Sequence, residues 1–340
     1  MRFVLAAFFL LLGAQPAGAV SSVTPAPTVA SGLCQVTDPR VTELSGLVSD
    51  GARWYAVNDG GTEVEVFVLD RSCTVQDVLT ANTDPYDVED LARAPDGTLW
   101  LADTGDNGKK RATVALLELK PSGGGAKLHR LTYPDGPHDT EALLLDRSGT
   151  PYLVTKDILG DAKVYRPTGP LATPGPTPLE QTGSVRIRST DTQGGPVGAF
   201  GSVLVTGGAT SADGTVVALR TYTDAYLYAA PDGDVAAALE RTPVRIPLAG
   251  EKQGEAVAFE PDGTLLSAGE GIGQPVRAAK GAASLVAAPL SAAAGNQAAD
   301  ASAGESRSPS GGGLPPLPAA AFAVLVVFGG WFLVRKLRRR

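Results

Sequence analysis

Four glutamates stand at matched places in this chain. Glu43, Glu89, Glu141 and Glu255 each lie eight residues before a glycine (Gly51, Gly97, Gly149, Gly263), and Thr206 holds the same place before Gly214. With 13 glutamates in 340 residues, chance would fill four of five such slots about once in a hundred thousand trials, so the frame marks a repeat. Carboxylates brought together repel unless a cation or protons intervene, and ligand sets made only of oxygen suit Ca²⁺ or Mg²⁺. The same recurrence also fits a structural part, each carboxylate accepting backbone N–H groups and tying neighbouring repeats together.

Other candidates are sparser. Asp103 ends the strand after Gly97, and Asp59, Lys156 and Glu270 fall one residue beyond the matching strand ends of other repeats. His138 precedes the strand of Glu141, which makes it the candidate general base; the competing reading is a loop histidine after the Pro134-Asp135-Gly136-Pro137 turn. The segment Asp103-Thr104-Gly105-Asp106-Asn107-Gly108 invites comparison with a calcium loop. It fails the EF-hand spacing, with Gly105 third and Val114 twelfth, and reads as a turn. Two histidines, His129 and His138, are too few for a His-rich zinc centre. No Gly-x-Ser-x-Gly elbow, Walker A loop or dinucleotide fingerprint occurs.

The elements that must position these residues are short strands. Apolar runs such as RWYAV, TLWLAD, TPYLVT, TVVALR and TLLSAG follow the frame glycines, and Asp-Gly or Ser-Gly turns separate them, as in antiparallel hairpins. Successive glycines are 46, 52, 65 and 49 residues apart, a period that holds four strands and reads as a propeller blade. The expectation is therefore all-β: a β-propeller of four-stranded blades over residues 32–290. Five blades are expected, with the segment near residues 33–36 closing the ring; six, with one degenerate, is the alternative. Residues 167–178 read as a surface loop. Trp54, Tyr55, Trp100 and Tyr152 are expected in the core between blades rather than on a carbohydrate platform. First strands line a propeller's tunnel and second strands run back beside them. The starts of the former and the ends of the latter meet at one rim, which would gather Glu43, Glu89, Asp103, Glu141 and Glu255 around a Ca²⁺ ion.

The frame Glu89-Asp90-Leu91-Ala92 with Asp96-Gly97, repeated in Thr140-Glu141-Ala142-Leu143 and Gly254-Glu255-Ala256-Val257, resembles secreted bacterial propellers of the phytase-like and esterase-like group. It is also similar to the calcium-dependent six-bladed lactonases. The resemblance covers about residues 40–270. It implies a propeller, calcium dependence and a metal-dependent hydrolase. Beside that activity stands a binding module that holds a small ligand or an extracellular protein at the rim.

The ends of the chain read as an address. Residues 1–19 have the basic start, apolar run and Ala17-Gly18-Ala19 site of a signal peptide. Residues 291–313 are Ala/Ser/Gly-rich and read as a stalk. Residues 314–334 are long enough for a transmembrane helix, and the basic tail 335–340 predicts a cytoplasmic C-terminus. The expected location is thus the cell membrane, single-pass, with the propeller outside. Net charge is −7, and without Arg2 and the five tail cations it is −13, which excludes a nucleic-acid-binding face. Cys34 and Cys73 are the only cysteines, and in an exported domain they are expected to pair.

Overall fold

The computed structural model describes residues 30–286, which fall within one compact unit. The expected signal peptide, stalk, membrane helix and basic tail lie outside the described residues. Among those described, no helix is long and apolar enough to cross a membrane.

The fold is all-β. After β1 (Ser31–Val36), strands come in fours. Unit one is β2 (Leu44–Ser49), β3 (Trp54–Asn58), β4 (Val64–Leu69) and β5 (Val75–Ala81). Unit two is β6 (Val88–Arg93), β7 (Leu99–Asp103), β8 (Val114–Leu119) and β9 (Ala126–Thr132). Unit three is β10 (Thr140–Leu145), β11 (Pro151–Thr155), β12 (Asp161–Pro167) and β13 (Thr177–Arg186). Unit four is β14 (Val205–Thr210), β15 (Val216–Thr221), β16 (Asp224–Ala229) and β17 (Val244–Pro247), with a one-turn helix α1 (Val235–Leu239) between its last two strands. Unit five has β18 (Gly254–Phe259), β19 (Leu265–Gly269) and β20 (Gln274–Ala279), and β1 supplies its fourth strand by pairing with β20.

Within each unit neighbouring strands are antiparallel, so first and third strands run one way and second and fourth the other. The apolar core is not one mass but five. Separate buried clusters join units one and two, two and three, three and four, four and five, and five and one. First strands β2, β6, β10, β14 and β18 adjoin in that cyclic order. This is a β-propeller: each sheet buries both faces against its neighbours, which explains why the strands read as short apolar runs rather than clean alternation. Trp54, Tyr55 and Tyr152 are buried between units and Trp100 partly so.

The frame-glycine turns that join first strands to second strands all lie at one end of the ring, the far end. The Gly97 N–H closes a turn onto the Ala94 carbonyl, and φ at Gly97 is +88°, a conformation that a side chain would strain. Asp96, Asp213 and Asp262 each accept the N–H two residues on, which satisfies the backbone before the second strand starts. Residues 168–176 leave unit three and cross to unit two, where the Arg130 N–H donates to the Pro174 carbonyl and β13 briefly pairs with β9. The predicted surface loop is thus a strap between neighbours.

At the opposite end, the mouth, register breaks in every unit at the same place. The first strand carries one extra residue against the end of the second, between Leu44 and Gly46, Val88 and Asp90, Thr140 and Ala142, Val205 and Gly207, and Gly254 and Ala256. The bulged residues are Ser45, Glu89, Glu141, Thr206 and Glu255. Four of them are the residues marked by the glycine frame. Unit one differs: Gly51 follows the end of β2 by two residues, whereas Gly97 follows β6 by four. Counting back from Gly51 therefore overshoots to Glu43, two residues before the bulge. Cys34 of β1 and Cys73 of the β4–β5 turn form a disulfide with Cα atoms 5.8 Å apart, as expected for the pair.

Candidate functional site

Three positions in each unit face the mouth: the bulge, the residue two before it, and the residue just after the second strand. Backbone bonds hold the last two together, from the N–H of Asp59 to the carbonyl of Glu43 (2.8 Å), Lys156 to Asp139 (2.9 Å) and Glu270 to Gln253 (2.9 Å). A bulge re-aims its side chain and ends the pairing, so one shared backbone device points five side chains at a common centre. Over the five units these positions hold eight carboxylates (Glu43, Asp59, Asp87, Glu89, Asp139, Glu141, Glu255, Glu270) and one ammonium, Lys156. Ser45 and Thr206 fill the other two bulges and donate to the Glu89 and Gly254 carbonyls of the next unit.

Two carboxylate triads result. Oxygens of Asp59, Asp87 and Glu89 lie within 4.8 Å of one another, and so do those of Glu89, Asp139 and Glu141. Glu89 belongs to both. It is 3% exposed and Glu141 2%, so neither is screened by water. Burial, followed by the charges of Asp59, Glu141, Asp87 and Asp139, pushes the Glu89 carboxyl well above its ordinary range. Burial also raises Glu141 and Asp139, against the opposing pull of Lys156. Glu255 is pushed up to about 8, chiefly by burial. Its Oε1 accepts from Gln253 at 3.3 Å, while its buried Oε2 has no hydrogen-bond partner. Lys156 Nζ binds Glu141 Oε1 at 2.8 Å and lies 5.1 Å from the centre of the Tyr222 ring. Glu141, Tyr222, Glu255 and Asp139 hold its ammonium charged despite burial.

Glu89 and Glu141 thus meet in one triad. Glu255 is in neither triad, but its charge acts on both Glu141 and Lys156. Glu43 stands at the rim beside Asp59 and Asn58 but in neither triad. Asp103 is also in neither. Its Oδ1 accepts the Asp87 N–H at 2.9 Å and pairs with Arg111 at 3.0 Å, so it positions Asp87 rather than facing the centre. His138 turns outward, with Nε2 2.9 Å from both Asp135 Oδ1 and the Tyr165 hydroxyl, and it is its neighbour Asp139 that reaches the mouth. His129 is buried against Trp100, with ring centres 5.6 Å apart. The 103–108 segment is a turn in which Asp106 accepts the N–H groups of Lys110 and Arg111.

Asp87 and Asp139 are the residues that sequence reasoning missed. The signal was present as a second spacing: Asp87-Val88-Glu89 and Asp139-Thr140-Glu141 repeat Asp-x-Glu in consecutive units, with Gln253-Gly254-Glu255 a third copy. Below the triads, Asp90 closes the middle of the ring. It is fully buried and accepts N–H groups from Leu91, from Leu143 of unit three and from Gly208 of unit four. Beyond it, at the far end, the first strands line a cavity of ≈ 490 Å³.

No protein-family model matches the chain, and no curated protein sequence is significantly similar to it. Solved structures similar to it are β-propeller proteins. A virginiamycin B lyase from Staphylococcus aureus is 10% identical at a TM-score of 0.36, covering 68% of this chain, which spans 64% of the lyase's length. A putative gluconolactonase is 14% identical at 0.40, over 75% of this chain and 93% of its own. A PQQ-bound aldose sugar dehydrogenase from Streptomyces coelicolor is 11% identical at 0.40, over 75% and 99%. At such scores these likenesses add nothing to the fold read from register and packing.

Proposed function

We propose that the chain is a five-bladed β-propeller whose mouth binds a divalent cation, Ca²⁺ in the first instance, and serves as a cation-dependent binding module for a small ligand or an extracellular partner. The observation that carries this reading is Glu89, a buried carboxylate shared by two triads that no cation of the protein itself pairs with by hydrogen bond or salt bridge among the described residues. Glu89, Asp139 and Glu141 would hold the ion, with Asp59 and Asp87 on its outer side. All are oxygen donors, and bringing them together without a counter-charge costs about 4 kcal/mol per pair at 4 Å and an effective dielectric near 20. The donor set fits a hard cation and suits neither zinc nor copper. The blade count rests on the five cores that lead from each unit to the next and back to the first.

We place the propeller outside the cell membrane, carried by residues 291–313 and tethered by 314–334; the support is the charge and hydropathy pattern of the sequence. The full-length protein in detergent, titrated with Ca²⁺ by calorimetry, should show one site that Glu89→Gln abolishes. Absence of heat in the wild type would sink the reading. A metal-dependent hydrolase is the second reading. What favours it is Lys156, Tyr222 and Glu255 beside the triad: a cation, a hydroxyl and a carboxyl that could orient a substrate and move a proton. Metal-dependent turnover of phosphate esters or lactones would establish it.

A further inference from the structure

Lys156 sits where a divalent cation would compete with it. Its Nζ takes Glu141 Oε1 at 2.8 Å, in a pair whose side chains are 11% and 3% exposed, and Glu141 is one corner of the Glu89–Asp139–Glu141 triad. Equivalent positions in units one and five carry Asp59 and Glu270, so the lysine is particular to this blade rather than part of the repeat. An ammonium and a divalent ion sharing one carboxylate would stand a few ångströms apart and repel strongly in a site with so little water. One must leave.

The lysine has a place to go. Glu255 Oε2 is buried and without a hydrogen-bond partner, Glu255 is itself 4% exposed, and its charge helps to hold the Lys156 ammonium. Tyr222 offers its ring to the ammonium from the side, at 5.1 Å. An unsatisfied buried carboxylate oxygen is expensive to keep, and a flexible four-carbon stem can carry the charge between two acceptors.

Building on the divalent-cation reading, we propose that Lys156 is the selectivity residue of the mouth. Its ammonium neutralises Glu141 until a divalent ion displaces it onto Glu255, and a monovalent ion, bringing no more charge than the lysine already supplies, does not displace it.

The test uses full-length protein in detergent, with Ca²⁺ and K⁺ as the probes. Lys156→Met should bind Ca²⁺ at least tenfold tighter than wild type. It should also melt higher in KCl than in choline chloride, a difference the wild type lacks. Glu255→Gln should weaken Ca²⁺ several-fold in the wild type and have no effect in the Lys156→Met background, because its part is to receive the lysine. Lys156→Gln repeats the first arm should the methionine variant misfold. Unchanged or weaker Ca²⁺ binding in both lysine variants would overturn the proposal, as would an equal Glu255→Gln effect in both backgrounds. Binding in the lysine variants but not in the wild type would uphold the lysine's part while removing the ion from the native function. Binding in none of them removes both.

Discussion

The two ends of this ring are built by opposite rules. At the far end, short turns repeat one chemistry, an Asp side chain satisfying the backbone ahead of a glycine with positive φ. The disulfide at Cys73 lies there too, as does Glu260, which takes the Trp54 Nε1–H at 2.8 Å and pairs with Arg71. At the mouth the connections vary widely in length. Residues 222–223 suffice between β15 and β16, whereas residues 187–204 lead into β14. Of the large hydrophobic side chains exposed among the described residues, Tyr86, Ile158, Leu159, Phe200 and Ile272 all sit on mouth-end connections, and only Leu33 does not. Antiparallel strand order lets one end be fixed by backbone needs while the other varies. Chemistry collects where the backbone rules are loose.

The contrast is sharpest where the expected energies are largest. Replacing Cys34 and Cys73 with alanine should cost about 4 kcal/mol of unfolding free energy in the chain-entropy model for a 39-residue separation. Denaturant melts with and without Ca²⁺ should show the same ion-induced gain as wild type. A lost gain would mean that the two ends are coupled.

Next comes the mouth. Ca²⁺ at a hundred times its dissociation constant should stabilise the wild type by about 2.7 kcal/mol. Glu89→Gln and Glu141→Gln should lose most of that gain. In EDTA, Glu89→Gln should melt no lower than wild type, because it removes a repelled charge, whereas Glu141→Gln takes the partner from buried Lys156 and should melt lower. Should Glu89→Gln melt far lower in EDTA, that glutamate is a tie between blades and the site is structural.

The third effect is a slope. Carboxyls raised in the folded state, Glu255 to about 8 from an ordinary 4.5, keep a proton that the unfolded chain has released. Their contribution is complete below about pH 4.5 and is lost as pH rises toward 8. Ion-free protein should therefore melt higher at pH 5 than at pH 8.5, and Glu255→Gln should flatten the trend. The opposite slope would show these groups ionised and satisfied. Smallest of all, Asp262→Ala at a far-end turn should cost about 1 kcal/mol or less and leave Ca²⁺ binding untouched.

The far end was also the legible end. Its frame turns announce themselves locally, and from them followed the repeat, the four-strand units and the closing strand near residue 33. The mouth was legible only by counting from those turns, and the count carries the turns' irregularities with it. One shortened turn put Glu43 in the slot that Ser45 occupies. Asp87 and Asp139 escaped the count because they lie upstream of the bulge, and a β-bulge depends on pairing with another strand that no local pattern displays. Asp103 and His138 have the right types near the right place, but neighbours distant in sequence, Arg111 for one and Tyr165 for the other, settle where they point.

The closing strand carries a consequence for the order of events as the chain is made. β1 completes a sheet whose other strands begin at Gly254, so its pairing spans almost the whole described chain and must come last. Its cysteine partner, however, is only 39 residues away in unit one. A growing chain can join Cys34 to Cys73 as soon as the first blade exists, which fixes the strand against unit one but leaves ring closure to span residues 73–274. The strand waits, already moored at the seam, for the blade it will finish.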